Sequence, residues 1–350
     1  MNQYAGMTGG AGRNLPLCDL RSDTVTRPDA GMQAAMGAAE LGDDVYGEDP
    51  SVNRLERSLA ERLGKEAGLF LPTGTMSNLA GLLAHCQRGE EILVGRDYHV
   101  CMYEAAGASV LGGIALYPLP VGASGGLDPA EVSAAVKPDD SHMAVSRLLS
   151  LENTHNGRAV SLAETAAAAA AARASGLAVH LDGARFFNGV TALGCTERDL
   201  ASIPDTISIC LSKGLGSPAG SVLLGPLDLI DRARRWRKML GGGMRQAGVL
   251  AAAGLYALEH NVAALAEDHA RAQVLADALR VLGAGEAVQA SNMVFFNPEE
   301  GRNDALRAHL AQRGVVIGGG SSGAIRLVLH RDAGDSALAL AIEGLRSFYG

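Results

Sequence analysis

The sequence predicts an α/β fold: a mostly parallel central sheet flanked by helices, with a smaller α+β domain at the C-terminal end. Short apolar runs alternate with stretches of helical period, which is the pattern of βα units. This alternation changes near residue 262. A chain of 350 residues suits about two domains. We therefore expect a disordered, glycine-rich leader over 1–16, a large domain over 17–262 and a small domain over 263–350.

The elements of the large domain follow from these patterns. Apolar runs of four to six residues predict strands, and the alanine tract at 166–172 is a strong helix former rather than a disordered segment. The expected strands are 68–71, 91–94, 114–118, 146–151, 178–181, 208–211 and 221–224. The expected helices are 51–63, 77–86, 162–175 and 246–259.

The C-terminal tail reads as a mixture of helices and strands. Its first helix, at 263–282, is long and amphipathic. The further expected elements are strands at 292–297, 315–317 and 324–329 and helices at 304–312 and 336–349.

Charge and composition exclude several classes of protein. The net charge of −8 provides no polycationic surface, so we expect neither nucleic-acid nor membrane binding. The basic run at 232–238 reads as a solvated or subunit-facing helix. Five dispersed cysteines indicate reduced thiols and a cytoplasmic protein. Neither a signal peptide nor an apolar run long enough to span a membrane is recognisable.

Two apolar runs each end in a charged residue followed by glycine. The run 177–181 precedes Asp182, and the run 208–211 precedes Ser212 and Lys213. Because a buried ammonium is costly to desolvate, a lysine at the end of such a run suggests a functional role. If both runs are parallel strands, both side chains emerge at the C-terminal sheet edge, where α/β proteins bind ligands. A carboxylate for a pyridine nitrogen and an amine for an aldehyde are what pyridoxal phosphate requires, so the sequence predicts an enzyme that uses it.

Other polar residues follow apolar runs but carry weaker signals. Gly74 and Thr75 open a helical pattern and can bind a phosphate, although an ordinary capped turn has the same residue types. His99 can stack on a planar ring or move protons, and a structural role is the commoner fate of a lone histidine. His142 and His155 have the same two interpretations. None of the three has zinc-ligand spacing, so no metal site is expected.

Three arginines have open alternatives. Arg185 lies three residues after Asp182 and can reach a substrate carboxylate or the cofactor phenolate, or form a surface ion pair. Arg326 lies within an apolar run, either as a solvent-facing residue of an edge strand or as a carboxylate clamp. Arg245 follows three consecutive glycines and can bind a phosphate, in a neighbouring subunit if the protein is oligomeric.

Several long motifs resemble those of the low-specificity threonine aldolases, and the similarity runs from about Leu17 to the end of the chain. The resemblance implies a fold-type I pyridoxal-phosphate lyase of the β-eliminating lyase and threonine aldolase group, with the transferase-like fold. It also implies a homotetramer with active sites at dimer interfaces. The matching stretches are 19–28 (DLRSDTVTRP), 42–50 (GDDVYGEDP), 73–78 (TGTMSN), 151–156 (LENTHN), 180–188 (HLDGARFFN), 211–216 (LSKGLG) and 237–246 (RKMLGGGMRQ).

The resemblance also implies an activity, the cleavage of L-threonine and L-allo-threonine to glycine and acetaldehyde. It implies that Lys213 bonds covalently to the cofactor, that Asp182 pairs with the pyridine nitrogen and that His99 stacks on the ring. The residues implied at the phosphate are Gly74, Thr75 and the neighbouring subunit's copy of Arg245.

The substrate side is implied in the same way. Ser22, Arg185 and Arg326 match the positions that hold the substrate carboxylate, and His142 matches a histidine near the β-hydroxyl. The hydroxyl's base is His99 or His142, directly or through a water molecule, with Glu104 a weaker candidate. Residues 143–147 depart from the family pattern, which leaves the substrate-side wall of the pocket open.

Alternatives to this activity are an aldolase for aryl β-hydroxy amino acids such as phenylserine and a pyridoxal-phosphate β-eliminating lyase. A nucleotide-binding α/β protein is a further alternative. The chain lacks a G-x-G-x-x-G motif after its first strand, which speaks against it. A non-catalytic interaction protein is the remaining alternative, and no large basic or low-complexity surface supports it.

Overall fold

The computed structural model describes residues 17–298, 301–318 and 324–350, so the expected leader lies outside it. The described chain forms two compact units. One comprises 28–212 and 217–259; the other comprises 17–27, 213–216 and the described part of 260–350. The sequence expectation had 17–27 and 213–216 in the large domain. They pack in the second unit because Cys18–Asp19 pairs with Val315–Val316 and the Thr26 hydroxyl donates to the Lys213 carbonyl oxygen.

The described residues form β-strands and α-helices in alternation over most of the chain. The strands are β1 Cys18–Asp19, β2 Ala67–Leu71, β3 Glu90–Gly95, β4 Ala115–Leu119, β5 Val145–Glu152, β6 Ala178–Gly183, β7 Thr206–Cys210, β8 Ser221–Gly225, β9 Glu286–Ala290, β10 Met293–Asn297, β11 Val315–Val316 and β12 Ile325–Val328. The helices are α1 Ala30–Gly37, α2 Pro50–Leu63, α3 Gly74–His85, α4 His99–Met102, α5 Gly107–Gly112, α6 Pro129–Ala135, α7 Leu162–Ala174, α8 Phe186–Leu193, α9 Glu197–Ala201, α10 Leu227–Met239, α11 Gly248–His260, α12 Leu265–Val281, α13 Asn303–Ala311 and α14 Asp335–Tyr349.

Seven strands of the first unit form one sheet in the order β2-β8-β7-β6-β5-β3-β4. Strand β8 runs antiparallel to β2 and to β7, and the other neighbours are parallel. The mostly parallel sheet expected from the sequence is therefore confirmed. All residues of β7 and β8 are buried, which is why these strands read as nearly continuous apolar runs.

The carboxyl ends of β3, β5, β6 and β7 lie at one edge of this sheet, since these strands are parallel. Glu152, the last residue of β5, is in register with Asp182 of β6. Asp182 is in turn in register with Ser208 of β7. The topology therefore brings polar residues of three neighbouring strands to the edge at which α/β folds bind ligands.

Capping side chains determine where the helices near this edge begin. The Thr73 hydroxyl accepts a hydrogen bond of 3.1 Å from the Met76 amide, which caps α3. Ser161 and Glu164 form a reciprocal capping box at the start of α7. Helix α7 contains the alanine tract, so the expected helix is confirmed.

The second unit has its own core. Strands β12, β10 and β9 form an antiparallel sheet in that order, and β1 pairs with β11 in parallel. Leu275 and Leu279 of α12 pack in one buried cluster with Phe296, Leu327 and Leu345. This gives the unit a continuous apolar interior, as expected for an α+β fold.

No helix formed by the described residues has, on its own, the length and apolar character of a membrane span. Helices α11 and α12 meet that test, by length and composition only, when they are taken together as a bent pair.

Candidate active site

Asp182 is a buried carboxylate at the end of β6, and it is 2% exposed. Its Oδ1 atom accepts a hydrogen bond of 2.9 Å from the Ala184 amide. Its Oδ2 atom accepts a bond of 2.9 Å from Nδ2 of Asn78. Each oxygen of this carboxylate keeps a further lone pair, so the group can accept a hydrogen bond from a cationic partner at the sheet edge.

The Asn78 amide joins Asp182 to a second buried carboxylate. Its Nδ2 atom also donates to Oε1 of Glu104, at 2.8 Å. Burial raises the pKa of the Glu104 carboxyl above its usual range, and the nearby Asp182 raises it further. The same Oε1 atom lies 2.8 Å from Nδ1 of His99. One amide thus holds together two acids that would otherwise repel each other in a poorly solvated place.

His99 is anchored at both its backbone and its ring. Its amide donates to Oε2 of Glu152 at 2.6 Å, and the Oε1 atom of Glu152 lies 2.7 Å from Nδ1 of His155. The contact with Glu104 makes Nδ1 of His99 the donor nitrogen, so the neutral ring carries its lone pair on Nε2. The ring is half-buried. An oriented, partly accessible imidazole can stack on a planar group or accept a proton.

The structure brings His99, Glu104 and Asp182 together more closely than their spacing in sequence suggests. One potential ligand atom from each lies within 4.8 Å of the others. A cation would suit such a set, but Asn78 already directs an N–H bond at each carboxylate. Hydrogen bonds are therefore sufficient to hold the two acids together without an ion. The expectation that the protein has no metal site stays a prediction.

A second polar surface is formed by the start of α3. Gly74 and Thr75 belong to its first turn, where backbone N–H groups have no partner within the helix. A Cβ atom on Gly74 would lie 3.5 Å from Oγ of Ser221, a buried hydroxyl without a hydrogen-bond partner among the described residues. Helix-terminal N–H groups beside an unpartnered hydroxyl form a suitable cradle for a phosphate group.

Three further predicted residues belong to the first unit. Arg185 is half-buried at the start of α8. Arg245 is exposed, and its Nη1 atom bonds to Oδ2 of Asp43 at 2.9 Å. His142 is on the surface with its side chain 88% exposed, paired with Oδ1 of Asp140 at 2.7 Å. The roles expected for these residues remain predictions.

Three predicted residues belong to the second unit. Lys213 follows β7 by three residues and is half-buried; its carbonyl oxygen accepts from the Thr26 hydroxyl at 2.8 Å and from the Gly216 amide at 2.9 Å. Ser22 caps a short 3-10 helix through a bond from the Thr24 amide. Arg326 is half-buried on the edge strand β12.

Sequence reasoning did not assign functional roles to Asn78 or Glu152. Both lie inside motifs that it quoted, 73–78 and 151–156, so the signal was present. Their importance comes from contacts across the fold: Asn78 reaches Asp182 over a separation of 104 residues, and Glu152 binds the His99 amide over 53. Residue type alone does not distinguish such contacts from ordinary capping.

Comparison with known proteins identifies the family of this chain. A family model described as beta-eliminating lyase matches residues 19–300. The low specificity L-threonine aldolase of Escherichia coli strain K12 is 50% identical over 332 residues, which cover 95% of this chain and 99% of that protein. The Leishmania major threonine aldolase structure matches with a TM-score of 0.81 at 21% identity, covering 95% of this chain and 100% of that one. A serine palmitoyltransferase from S. paucimobilis with bound PLP matches with a TM-score of 0.74 at 16% identity, covering 95% and 88%.

The sheet order and the strand directions give the chain the fold of the fold-type I pyridoxal-phosphate enzymes. The chain belongs to the beta-eliminating lyase family. The resemblance to low-specificity threonine aldolases and the expected lyase class are therefore confirmed.

Proposed function

We propose that this protein is a pyridoxal-phosphate-dependent aldolase that cleaves L-threonine and L-allo-threonine to glycine and acetaldehyde. The near full-length similarity to an enzyme of that name supports the substrate. The observation that carries the chemistry is the buried Asp182 carboxylate, held by two N–H donors at the C-terminal edge of the sheet.

The described residues fit the cofactor. The buried carboxylate of Asp182 suits a protonated pyridine nitrogen. The first turn of α3 and the unpartnered hydroxyl of Ser221 suit a phosphate. The residues proposed to hold the cofactor are Gly74, Thr75, His99, Asp182, Arg185, Lys213 and Arg245, the last from a neighbouring subunit.

When bound, pyridoxal phosphate supplies an electron sink for the bond to be broken. Lys213 would hold the cofactor covalently through its side-chain amine. Asp182 keeps a proton on the pyridine nitrogen, through a charge-assisted hydrogen bond of roughly 1.5–3 kcal/mol. His99 would stack on the ring. Together these three residues would hold the ring and favour its protonated, electron-poor form.

The substrate would have to be held so that its Cα–Cβ bond is the one aligned for cleavage. Ser22, Arg185 and Arg326 are proposed to hold its carboxylate, and such orientation contributes several kcal/mol. The proton of the β-hydroxyl must also be removed. His99 suits this step because its contact with Glu104 leaves the Nε2 lone pair as the acceptor; His142 is the second candidate, directly or through water.

A β-eliminating activity is the second candidate, since the family model that matches carries that description. The two reactions give different products. An aldolase releases an aldehyde and glycine, whereas elimination from serine or cysteine releases a keto acid and ammonia.

We further propose a cytoplasmic homotetramer that acts on a free amino acid. Large apolar side chains on the surface of the first unit, including Tyr46 (75% exposed) and Met239 (71%), support an interface between subunits. The five cysteines are all free thiols, which supports a reducing compartment.

The experiment is to incubate the purified, cofactor-loaded protein with L-threonine, L-allo-threonine, phenylserine, serine and cysteine. Aldehyde, pyruvate and ammonia are measured for each substrate. The proposal is supported if each threonine isomer yields acetaldehyde and glycine, with the two products in equal amounts. Pyruvate and ammonia without aldehyde would establish elimination instead, and faster cleavage of phenylserine would assign an aryl substrate.

A further inference from the structure

A line of hydrogen bonds runs from Asn78 into the interior of the sheet. The Oδ1 atom of Asn78 lies 3.3 Å from Nε2 of His180, which is 0% exposed on β6. Nδ1 of His180 lies 2.8 Å from the hydroxyl of Thr206 on β7. That hydroxyl lies 2.8 Å from Nε2 of His85, the last residue of α3.

The donor and the acceptor of each hydrogen bond in this line can be assigned in turn, starting from Asn78. An amide oxygen only accepts, so Nε2 of His180 carries the hydrogen. Burial lowers the pKa of His180 to about 3, so the ring is neutral and its Nδ1 atom accepts. Thr206 must then donate to His180. Its hydroxyl oxygen accepts from Nε2 of His85, whose pKa burial lowers to about 4.

The reverse arrangement is electrostatically unfavourable. If the Asn78 amide were turned over, its oxygen would face the carboxylates of Glu104 and Asp182 at the present distances of 2.8 and 2.9 Å. The hydrogen on Nε2 of His180 would meet an NH₂ group. A single ordering of donors therefore satisfies the whole line, from His85 at one end to the two acids at the other.

The packing also holds the His180 ring in place. Gly81 lies in the middle of α3, where glycine costs a helix about 1 kcal/mol relative to alanine. A Cβ atom at this position would lie 3.1 Å from Cε1 of His180 and 3.1 Å from Cδ1 of Leu223. The absence of a side chain at Gly81 therefore lets α3 lie directly against the imidazole.

We propose that His180 and Thr206 are positioning residues, which fix the Asn78 amide so that both of its N–H bonds point to Asp182 and Glu104. This inference rests on the proposed function, in which Asp182 pairs with the pyridine nitrogen. The ordered line keeps Asp182 a hydrogen-bonded carboxylate and Glu104 the acceptor for His99. His180 and Thr206 would therefore affect both the candidate partner of the pyridine nitrogen and the candidate base. They would do so through Asn78 and not by direct contact with cofactor or substrate.

The test compares Thr206→Val, which removes the hydroxyl at constant shape, with Thr206→Ser, which keeps it. Thr165→Val is the matched control. Thr165 is also a buried threonine, but its hydroxyl bonds to the Ser161 carbonyl within α7, outside this line. Each protein is measured for cofactor affinity, for kcat and KM with L-threonine, and for thermal unfolding.

For Thr206→Val we expect cofactor affinity and kcat to fall by about five- to a hundredfold, the range for a lost buried hydrogen bond. We expect KM to change less, Thr206→Ser to restore both values, and Thr165→Val to retain them. A Thr206→Val protein with unchanged affinity and kcat would overturn the inference. So would an equal loss in Thr165→Val and Thr206→Val, because that would indicate a general effect on stability.

A second measurement needs neither cofactor nor turnover. Ring ¹⁵N spectra of histidine-labelled protein, with the His180 signals assigned by their loss in His180→Asn, report which nitrogen holds the hydrogen. We expect the neutral Nε2–H form in the wild type and a mixture of forms in Thr206→Val. An Nδ1–H form in the wild type would overturn the inference. Failure of the proposed function would instead show in the wild type, as no cofactor absorbance or no aldehyde.

Discussion

The side-chain amide of Asn78 donates a hydrogen bond of 2.9 Å to Oδ2 of Asp182. Asn78 lies on α3, whose first turn forms the candidate phosphate cradle. Asp182 lies on β6 and is the candidate partner of the pyridine nitrogen. One contact therefore joins the two parts of the site that a phosphate-bearing ring would bridge. Its removal should therefore weaken cofactor binding.

The change Asn78→Asp tests this contact. It replaces an N–H donor by a third carboxylate between two buried acids. We expect this to lower the free energy of unfolding by about 3–5 kcal/mol. We expect at least a tenfold loss of cofactor affinity, measured by absorbance titration. Asn53→Asp is the control, since Nδ2 of Asn53 bonds to the Gly47 carbonyl in an exposed place. Equal affinity in Asn78→Asp and the wild type would contradict the assignment of Asp182.

Ser221→Ala should have two effects of opposite sign. In the cofactor-free protein it removes a buried hydroxyl that has no partner within the described part of the chain, so we expect the free energy of unfolding to rise by about 1 kcal/mol. Cofactor affinity should fall, because the phosphate loses a donor. Ser150→Ala is the control. The Ser150 hydroxyl is also buried and bonds to none of the residues that the structure describes, but it lies in β5, so we expect only the gain in stability. Unchanged affinity in Ser221→Ala would remove this residue from the cradle.

His142→Phe should change the ratio of the rates for L-threonine and L-allo-threonine. The ring is exposed and bonds to Asp140, so its loss should leave the free energy of unfolding unchanged within about 0.5 kcal/mol. Both isomers are assayed for kcat/KM, together with urea unfolding. Unchanged kinetics on both isomers would remove His142 from the proposed mechanism.

Asp268 should make stability depend on pH. Burial raises its pKa from 3.8 to about 7 in the folded protein. The folded state therefore keeps a proton that the unfolded state has lost, and the free energy of unfolding falls as pH rises between about 4 and 7. The upper limit is roughly 4 kcal/mol, at 1.36 kcal/mol for each unit of pKa difference.

Asp268→Asn should flatten this dependence, measured by urea unfolding at pH 5 and pH 8. Asp277→Asn is the control on the same helix, because the Asp277 side chain is 57% exposed. If both variants retain the wild-type slope, Asp268 is not the source of the dependence.

Much of the fold follows from local patterns. The seven expected strands 68–71 to 221–224 all occur in the central sheet. Strands such as β7 and β8 could be predicted because fully buried strands read as apolar runs. Strand β9 was not expected: Glu286, Val288 and Gln289 are not fully buried, so it lacks that signal. The placement of 17–27 in the second unit was also not expected, since the pairing of β1 with β11 spans almost 300 residues.

The site could be predicted only as far as its residue types carried information. Asp182 and Lys213 stand out because each charge follows an apolar run. Asn78 and His180 do not stand out, because an asparagine in a helix and a histidine in a strand have many ordinary roles. Their interest comes from hydrogen bonds between α3 and β6 that no local pattern records.

The central claim is that Lys213 holds the cofactor. The chain has only four lysines: Lys65, Lys137, Lys213 and Lys238. Borohydride reduction of the cofactor-loaded protein, followed by peptide mass spectrometry, identifies the lysine that forms the covalent bond. The account predicts the reduced pyridoxyl phosphate on Lys213 alone. Its attachment to one of the other three lysines, with Lys213 unmodified, would contradict it.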